Sequence, residues 1–387
     1  MEKVKLNELA DIYLGVTHTP EYVFEGVPFL SVKDISGGKV CFNDCKYISK
    51  EEYDSLSEGA KPKVGDMLFC RVGTLGKPII IPEGTPLFGS FVSLGYLRNR
   101  NSDRCDLNYL RYWMYSNSFW KQVNANVKGA SQVNLNTGWL SKFDIDLPGI
   151  AEQKYRISVL DKCKSVIEKR EAELAALDDL IKVRFVEMFG DPLDKLRAND
   201  YFMECVEFNP TKLEVKDLMD ETVSFVPMEC IGVDGSFAIK EDGLVKDYYK
   251  GYTYFKDGDV LLAKITPCFE NGKVAIAENC TNGIGFGTTE FHVLRPIVGV
   301  SNSYWIKYML KNDNVHGLAT INMTGSAGQK RIQTPFFENL KIYLPSIELQ
   351  NQFADFVCQV DKSKVAVQKA LDETQLLFDS LMQEYFG

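Results

Sequence analysis

The sequence predicts an α+β protein made of two homologous, mixed α/β domains, separated by two long helices that form an antiparallel coiled coil. Three observations predict this pseudo-twofold internal repeat. The two halves of the chain align with each other, the same order of elements recurs in both, and each half ends in about forty residues of unbroken helical pattern. The predicted segments are a first domain over 1–150, a central helix over 151–190, a second domain over 191–346 and a C-terminal helix over 347–387.

The alignment of the two halves is clearest where each long helix begins. Leu140–Pro148 aligns with Phe337–Pro345 without a gap, and both segments end in Leu-Pro. Further towards the N-terminus, Gly65-Asp66-Met67-Leu68 aligns with Gly258-Asp259-Val260-Leu261. Two copies of one unit are the simplest explanation of this shared order.

Each half begins with a mixed globular part, in which short β-like runs such as Pro78–Ile81 and Val274–Ile276 are interrupted by glycine and proline. An aromatic-rich helical segment follows, at Leu107–Phe119 in the first half and at Ser303–Leu310 in the second. The alignment there pairs Tyr109 with Tyr304 and Met114 with Met309. A loop rich in Gly, Ser, Gln and Asn then leads into a strand that ends in Leu-Pro.

Each long helix carries an apolar stripe with alternating three- and four-residue spacing, which is typical of a helix that packs against a partner helix. The predicted coiled-coil seam consists of Leu160, Ile167, Leu174, Leu177 and Ile181 in the first helix and Val357, Val360, Val367, Leu371, Phe378 and Leu381 in the second. Polar residues interrupt the stripe at Arg170, Arg184, Lys364 and Thr374, where they either set the register or extend to solvent. The alternative is that each helix packs only on its own domain.

The composition is that of a globular protein, with 45% hydrophobic and 25% charged residues. No stretch is long and apolar enough for a membrane helix, and the N-terminus lacks the apolar core of a signal peptide, so a cytoplasmic protein is expected. The cysteines are expected to be reduced thiols in apolar surroundings, because no second Cys or His pair follows Cys41 and Cys45 at zinc spacing. No metal site and no cofactor are predicted.

No catalytic motif is recognised in the sequence. Gly73–Lys77 lacks the spacing and the Ser or Thr of a phosphate-binding loop, and Asn209-Pro210-Thr211 lacks the second proline and the aromatic residue of an amino-methyltransferase motif. His18, His292 and His316 have no metal-ligand or triad context. These observations predict a protein that is not itself an enzyme.

The net charge of −9 argues at first against a nucleic-acid partner, but two polar windows contain no Asp or Glu. They run from Leu107 to Phe143 and from Asn314 to Phe337, and each contains one of the Gly/Ser/Gln/Asn loops. A phosphate backbone repels carboxylates, so DNA is expected to lie along such windows. Because amides read adenine and Arg or Lys read guanine, the two equivalent loops are suited to reading different bases.

A second pair of candidates lies at the strand that follows each Gly-Asp turn, where Arg71 and Lys264 are expected to reach a phosphate or a guanine edge. The alternative for any of these loops is a solvated surface that binds nothing. The candidate DNA-binding residues are Arg71, Thr74, Lys77, Lys128, Ser131, Gln132, Asn134 and Asn136 in the first half and Lys264, Thr266, Lys273, Ser326, Gln329, Lys330 and Arg331 in the second.

In their repeated order these features resemble one family, the specificity subunits of Type I restriction-modification systems. The resemblance rests on the two Gly-Asp-x-Leu strands, the two loops, and the tails Asp146–Gln153 and Tyr343–Gln350 that lead into the long helices, and it covers essentially the whole chain. It implies two target recognition domains, each of which reads one half of a bipartite, asymmetric site in double-stranded DNA. It also implies that the coiled coil fixes the spacing between the half-sites.

The resemblance further implies that the chain has no catalytic residues of its own. Members of the family recruit DNA adenine-N6 methyltransferase subunits, which use S-adenosylmethionine, and through them an ATP-dependent restriction subunit. This sequence departs from the family mainly in its acidity. Two alternatives remain open, namely the recognition part of another restriction-methylation system, including a fused enzyme, and a coiled-coil interaction module that binds no DNA.

Overall fold

The structure, a computed structural model, describes residues 2–35, 37–126, 134–326 and 328–387. Its internal contacts divide the chain into two compact units. Unit 1 contains Met1–Glu171 and Lys369–Gly387, and unit 2 contains Ala172–Gln368. Because the boundaries fall within the two long helices, each unit combines a globular part with a portion of each helix.

Unit 1 is a mixed α/β structure. Its strands are β1 (Glu2–Lys5), β2 (Ala10–Leu14), β3 (Tyr22–Val23), β4 (Val27–Leu30), β5 (Lys46–Ile48), β6 (Met67–Cys70), β7 (Gly76–Ile80), β8 (Gly89–Ser90), β9 (Leu94–Asn99) and β10 (Asp144–Leu147). Its helices are α1 (Leu6–Leu9), α2 (Lys50–Ser55), α3 (Leu107–Tyr115), α4 (Asn117–Asn126), α5 (Thr137–Leu140) and the first part of α6 (Ile150–Phe189). An antiparallel sheet has the order β2-β9-β6-β7, a second sheet has the order β3-β5-β4-β8, and β1 pairs with β10.

Unit 2 repeats this plan. Its strands are β11 (Asp200–Tyr201), β12 (Val206–Phe208), β13 (Thr222–Val226), β14 (Glu241–Leu244), β15 (Thr253–Lys256), β16 (Val260–Ala263), β17 (Val274–Ile276), β18 (Ile284–Gly287), β19 (Phe291–Pro296) and β20 (Lys341–Ile342). Its helices are α7 (Val245–Tyr248), α8 (Ser303–Lys311), α9 (Asp313–Ile321), α10 (Thr334–Glu338) and the first part of α11 (Ile347–Phe386). The sheets have the orders β12-β19-β16-β17 and β14-β13-β18-β15, and β11 pairs with β20.

The predicted internal repeat is confirmed by these sheet orders. The antiparallel sheets match strand for strand, and in each second sheet one pair of strands is parallel, β4 with β8 in unit 1 and β13 with β18 in unit 2. The units differ at the edge of that second sheet, where unit 1 adds β3 beside β5 and unit 2 adds β15 beside β18. The β-like runs predicted around Ile79 and Ala275 are strands β7 and β17.

The aspartate of each Gly-Asp turn is held by an arginine. In unit 1, Arg98 donates from Nε and Nη2 to the two carboxylate oxygens of Asp66, at 2.9 and 2.7 Å. In unit 2, Arg295 makes the same two contacts to Asp259, both at 2.9 Å. Both aspartates are buried, and a paired, hydrogen-bonded partner is what makes a buried carboxylate tolerable. The repeated Gly-Asp turn is therefore a structural clamp at the start of β6 and β16.

The aromatic helices α3 and α8 align with each other one residue away from the predicted alignment. Asp106 and Asn302 are the N-cap residues of α3 and α8, and each cap places the helix at the same point of its unit. Counted from these caps, Tyr109 corresponds to Trp305, and both side chains are almost fully buried. The predicted pairing of Tyr109 with Tyr304 is wrong by one residue, and the second predicted pair shifts with it. Two adjacent aromatic residues in α8 allowed either register in the sequence. Trp305 is almost fully buried, whereas Tyr304 is only partly buried against the same core.

A buried glutamine joins each long helix to its globular part. Gln153, in the first turn of α6, is fully buried, and its Oε1 accepts a hydrogen bond from the backbone N–H of Asp106 at 3.0 Å. Its Nε2 donates to the carbonyl oxygens of Arg104 and Pro148, at 2.9 and 2.8 Å. The side-chain amide is therefore satisfied by three backbone groups, and the start of α6 is tied to the start of α3.

Gln350 of α11 makes the same contacts in unit 2. Its Oε1 accepts from the backbone N–H of Asn302 at 2.9 Å, and its Nε2 donates to the carbonyl oxygens of Val300 and Pro345, at 3.0 and 2.9 Å. This side chain is also fully buried. The alignment of Gln153 with Gln350 in the sequence thus corresponds to one repeated interaction.

The long helices pack against each other within each unit, as the coiled-coil prediction requires. In unit 1, Arg156 of α6 donates to the carbonyl oxygen of Tyr385 of α11 at 3.0 Å. In unit 2, the phenyl ring of Phe189 lies 5.4 Å from that of Phe353, and Lys364 pairs with Asp178 at 2.7 Å. Within unit 2 residue numbers rise along one helix as they fall along the other, so the helices are antiparallel.

The predicted seam residues lie on the covered side of both helices. All of them are buried or half-buried, namely Leu160, Ile167, Leu174, Leu177, Ile181, Val357, Val360, Val367, Leu371, Phe378 and Leu381. Lys364 contributes an ion pair between the helices, and the guanidinium of Arg184 lies over the ring of Phe356. Each helix also packs on its own globular part, so both proposed uses of the stripe are present.

None of the helices in the described part of the chain is long and apolar enough to cross a membrane. The same residues include no group of three or more His, Cys, Asp or Glu side chains arranged to hold a metal ion. The ten cysteines are free, and Cys41 is the exposed one. Burial raises the pKa of the Cys70 thiol to about 11, which keeps that side chain protonated at neutral pH.

Replacement of Gln350 by Leu should destabilise unit 2. It would leave one backbone N–H and two carbonyls buried without partners, which we expect to lower the free energy of unfolding by roughly 2–4 kcal/mol. Urea denaturation measures this loss, and hydrogen exchange at the N-terminus of α8 locates it. Gln359→Leu, at an exposed position of the same helix, is the matched control. Equal stability of the two variants would contradict the role assigned to Gln350.

Candidate nucleic-acid interface

In unit 1, Leu135, which follows the candidate loop, is hydrogen-bonded to the end of β6. The backbone carbonyl of Arg71 accepts a hydrogen bond from the N–H of Leu135 at 3.0 Å, and Arg71 Nε donates back to the carbonyl of Leu135 at 3.0 Å. Its Nη1 donates to the carbonyl of Val92 at 2.8 Å. Burial lowers the pKa of this guanidinium. Arg71 therefore holds Leu135, whereas the sequence predicted that its side chain would project from the strand end. The contact between Arg71 and Leu135 is called the junction of unit 1. A contact of Arg71 with DNA stays a prediction.

Four of the remaining candidates of unit 1 lie in the described part of the chain. Thr74 and Asn134 are exposed, and Lys77 is half-buried in the left-handed region, at a φ of 51°. The Oδ1 atom of Asn136 accepts from the backbone N–H of Gly138 at 2.7 Å, so this side chain caps α5. Lys128, Ser131 and Gln132 lie outside the described residues.

In unit 2, the end of β16 holds the equivalent loop through the backbone. The carbonyl of Lys264 accepts from the N–H of Ile332, and the N–H of Thr266 donates to the carbonyl of Lys330, both at 2.9 Å. Lys273 donates from Nζ to the carbonyl of Met228 at 3.1 Å, so it holds another segment of the unit. Of these candidates Lys264 is half-buried at the junction itself.

The loop of unit 2 presents both free and paired side chains. Ser326, Gln329 and Lys330 are exposed. Arg331 forms an ion pair with Glu290, in which Nε lies 3.0 Å from Oε2 and Nη2 lies 2.8 Å from Oε1. The Arg331 guanidinium holds the pKa of Glu290 below its usual range. The carboxylate is thus charged at neutral pH, and the pair carries no net charge.

The backbone establishes which positions of the two junctions are equivalent. The N–H of Arg71 donates to the carbonyl of Ser93, and the N–H of Lys264 donates to the carbonyl of Glu290, both at 2.9 Å. Ser93 of unit 1 therefore occupies the position of Glu290 in unit 2. One backbone scaffold carries a hydroxyl in one unit and a carboxylate in the other.

The loop residues differ in the same way. Leu135 and Ile332 make the equivalent backbone contact to the strand end, so the residues before them, Asn134 and Arg331, are equivalent. Each junction contains one guanidinium, but it comes from the strand in unit 1 and from the loop in unit 2. The loop side chain is consequently an amide in one unit and an arginine in the other.

A groove beside the loop of unit 2 contains residues that the sequence did not indicate. Its volume is about 1030 Å³, and its described lining includes Lys195, Lys341, Asn199, Asn322 and Asn339 but no carboxylate. Neither lysine lies in an acid-free window, because acidic residues are close to both of them in the sequence. Glu290 was missed for the opposite reason, since an acidic residue was not expected at a DNA-binding surface. Folding, and not local sequence, decides which charges are neighbours.

Comparisons with known proteins point to one family. Residues 224–374 match the family model of the Type I restriction modification DNA specificity domain. The chain is 41% identical to the Type I restriction enzyme EcoEI specificity subunit of Escherichia coli over 187 residues, which is 46% of this chain and 31% of that subunit. It is also 41% identical to the EcoAI specificity subunit of the same organism over 184 residues, 46% of this chain and 30% of that protein. Over these segments the chain is similar to Type I specificity subunits.

Solved structures of low sequence identity share the fold. A chain from a structure on complex assembly and conformational transition of the type I R-M system matches with a TM-score of 0.59 at 16% identity, over 100% of this chain and 97% of that one. The S subunit of the Type I system from M. genitalium matches with a TM-score of 0.56 at 15% identity, over 100% and 96%. The matched sequence spans less than a third of the E. coli subunits.

The match to the specificity domain bears on the two junctions unequally. Residues 224–374 include the junction of unit 2, with Lys264, Glu290 and Arg331, and they exclude that of unit 1. The matched segment therefore contains the junction of unit 2, and the junction of unit 1 is linked to it only by the equivalent backbone contacts.

A buried histidine lies behind the unit 2 loop. His292 Nε2 donates to the carbonyl of Ile332 at 3.0 Å, and its Nδ1 faces Asn209 Nδ2 at 3.5 Å. Burial lowers the pKa of His292 to about 4. The neutral ring is therefore the form that supports the loop.

We expect this histidine to make unit 2 less stable in mild acid. The unfolded chain takes up a proton near pH 6.5 whereas the folded one does so near pH 4, so the stability contributed by the neutral His292 is complete above pH 6.5 and is lost as the pH falls towards 4. The loss is roughly 3 kcal/mol. Urea titrations at several pH values should show a shallower decline for His292→Gln than for the parent. His18→Gln, at an exposed position, should leave the profile unchanged.

Proposed function

We propose that the chain is the DNA sequence-recognition subunit of a Type I restriction-modification complex. Unit 1 reads one half of a bipartite, asymmetric site in double-stranded DNA, unit 2 reads the other half, and the chain itself catalyses no reaction. The observation that carries this proposal is the pair of equivalent junctions whose loop residues, Asn134 and Arg331, differ in chemistry. The sequence similarity to Type I specificity subunits supports the same function.

The junctions suit this role because scaffold and contact residues are separate. Backbone hydrogen bonds hold Leu135 in unit 1 and Lys330 and Ile332 in unit 2, and the neighbouring side chains are free to vary. An amide is suited to adenine and a guanidinium to guanine, so the same scaffold can read unlike half-sites. Exposed lysines such as Lys330 and Lys341 are suited to phosphates, which supply affinity and not sequence preference.

We further propose that partner subunits supply the chemistry. DNA adenine-N6 methyltransferase subunits would bring S-adenosylmethionine, and an ATP-dependent restriction subunit would join through them. The long helices are suited to such binding, because Val183, Val365 and Leu376 are apolar and 65%, 70% and 72% exposed. The functional segments are proposed as 1–150 and 191–346 for the recognition domains and 151–190 and 347–387 for the helices.

Co-expression of the chain with its adenine methyltransferase in a host without adenine methylation should produce a two-part methylated motif. Sequencing that detects N6-methyladenine measures the motif directly. Replacement of Lys330 and Arg331 together by Ala should weaken or relax the reading of one half of the motif and leave the other half unchanged. Lys250→Ala, at an exposed position of unit 2 outside the loop, is the control. Equal loss at all sequences would exclude the assignment of the loop.

The helices are proposed to set the distance between the half-sites. Insertion of seven residues after both Glu171 and Gln368 adds about 10 Å to each helix and nearly keeps the helical phase. We expect the tolerated gap in the methylated motif to grow by about three base pairs. Insertion of an alanine-rich segment of seven residues into only one helix breaks the pairing between the two helices and should abolish methylation. An unchanged gap in the double insertion would contradict the spacing role.

The two alternatives give different results in the same system. A complex that forms with the methyltransferase but binds no duplex would favour an interaction module without DNA recognition. Methyl transfer by the purified chain alone would favour a fused enzyme. Either outcome would replace the proposed function.

A further inference from the structure

The ion pair between Arg331 and Glu290 lies at the position where the unit 2 loop meets the strand end. Arg331 Nε and Nη2 face the carboxylate side-on, at 3.0 and 2.8 Å from Oε2 and Oε1. Nη1 donates to the carbonyl of Gln329, in the same loop, at 3.0 Å. The Arg331 side chain remains 34% exposed and that of Glu290 26% exposed. The guanidinium is therefore fixed in orientation while part of it still faces solvent.

The hydrogen-bonding capacity of this guanidinium is only partly used. It has five N–H groups, and the contacts to Glu290 and Gln329 use one on Nε, one on Nη1 and one on Nη2. Nη1 and Nη2 each keep a second N–H that has no acceptor in the described part of the chain. Donors on two adjacent nitrogens of a fixed arginine are suited to the O6 and N7 acceptors of guanine.

The charge of the pair favours a base edge over a phosphate. Arg331 is neutralised by Glu290, so the pair attracts a phosphate much less than a lone cation does, whereas the neutral acceptors of a guanine edge need only oriented donors. The adjacent Lys330 is exposed, and none of the described residues accepts a side-chain hydrogen bond from it. Lys330 is thus the phosphate-type cation of the loop, and Arg331 is the base-type donor.

We propose that Arg331 reads a guanine in the half-site of unit 2 and that Glu290 is the positioning residue that sets this preference. The inference rests on the proposed function. At the equivalent positions unit 1 has Asn134 and Ser93, which have no ion pair and whose amide is suited to adenine. The two junctions therefore assign different purines to equivalent positions of the two half-sites.

The test uses the complex of the full chain with its methyltransferase and maps methylated sites. Glu290→Gln and Arg331→Lys should each reduce the preference for guanine at one position of one half-site by about tenfold, because discrimination by a bidentate contact is lost. The other positions and the other half-site should keep their preferences. Glu290→Asp should retain part of the preference, since the carboxylate remains. Lys330→Ala should weaken binding to all sequences alike. It should also reduce by about one the slope of the logarithm of the binding constant against the logarithm of the salt concentration.

A transplanted junction keeps the proposal testable if a single variant folds poorly. Lys264→Arg, Glu290→Ser and Arg331→Asn together give unit 2 the residues that unit 1 has at this point. This variant should change the preferred base from guanine to adenine at the same position, a gain that misfolding cannot produce. Hydrogen exchange across unit 2 verifies the fold of each variant.

Two results would overturn the inference in distinguishable ways. If Glu290→Gln lowers methylation of every sequence equally, or the transplanted junction still prefers guanine, the ion pair is only a structural clamp of the loop. The two-part motif would then still be methylated, so the proposed function would stand without the guanine assignment. If the unmodified complex methylates no specific sequence, the proposed function fails and the guanine assignment fails with it.

Discussion

The buried amides of Gln153 and Gln350 constrain most of what lies around them. Each accepts a hydrogen bond from the first backbone N–H of a core helix and donates to two carbonyls, so moving the long helix would expose or orphan three backbone groups at once. The core helix, α3 or α8, in turn packs against the strand β7 or β17 that pairs with β6 or β16. Within each unit the amide therefore helps to fix the position of the long helix relative to the end of β6 or β16, where the candidate loop is attached.

A second constraint acts at the other end of the same strand. The clamps of Asp66 by Arg98 and of Asp259 by Arg295 fix the turn that starts β6 and β16. Both ends of the strand are thus set by repeated interactions, and the loop is attached by backbone hydrogen bonds that do not depend on its side chains. This separation explains how Asn134 and Arg331 can occupy equivalent positions without a change in the scaffold.

The periodic pattern of apolar residues made the architecture predictable from the sequence. Contacts between residues far apart in the chain could not be predicted in this way. The repeat and the antiparallel helices follow from patterns that the backbone imposes along the chain, and Leu160 and Val357 of the predicted stripe are buried. The single-residue error at Trp305 arose because the pattern of α8 accepts either of two aromatic residues. The contacts of Arg71 and the partner of Arg331 depend on residues far along the chain, and no local pattern reports them.

The acidity of the chain is less of an obstacle to DNA binding than its net charge suggests. A charge more than about 8 Å from a phosphate is largely screened at physiological ionic strength, so only carboxylates near the loops matter. At the unit 2 junction the carboxylate of Glu290 is already paired with Arg331, and its repulsion of a phosphate is offset by that guanidinium. In the proposed function, the exposed Lys330 would contact the backbone and the oriented, neutral pair would contact a base. A DNA-binding surface whose cations are mostly paired gains little sequence-independent affinity, and a larger share of the binding free energy then depends on the bases it meets.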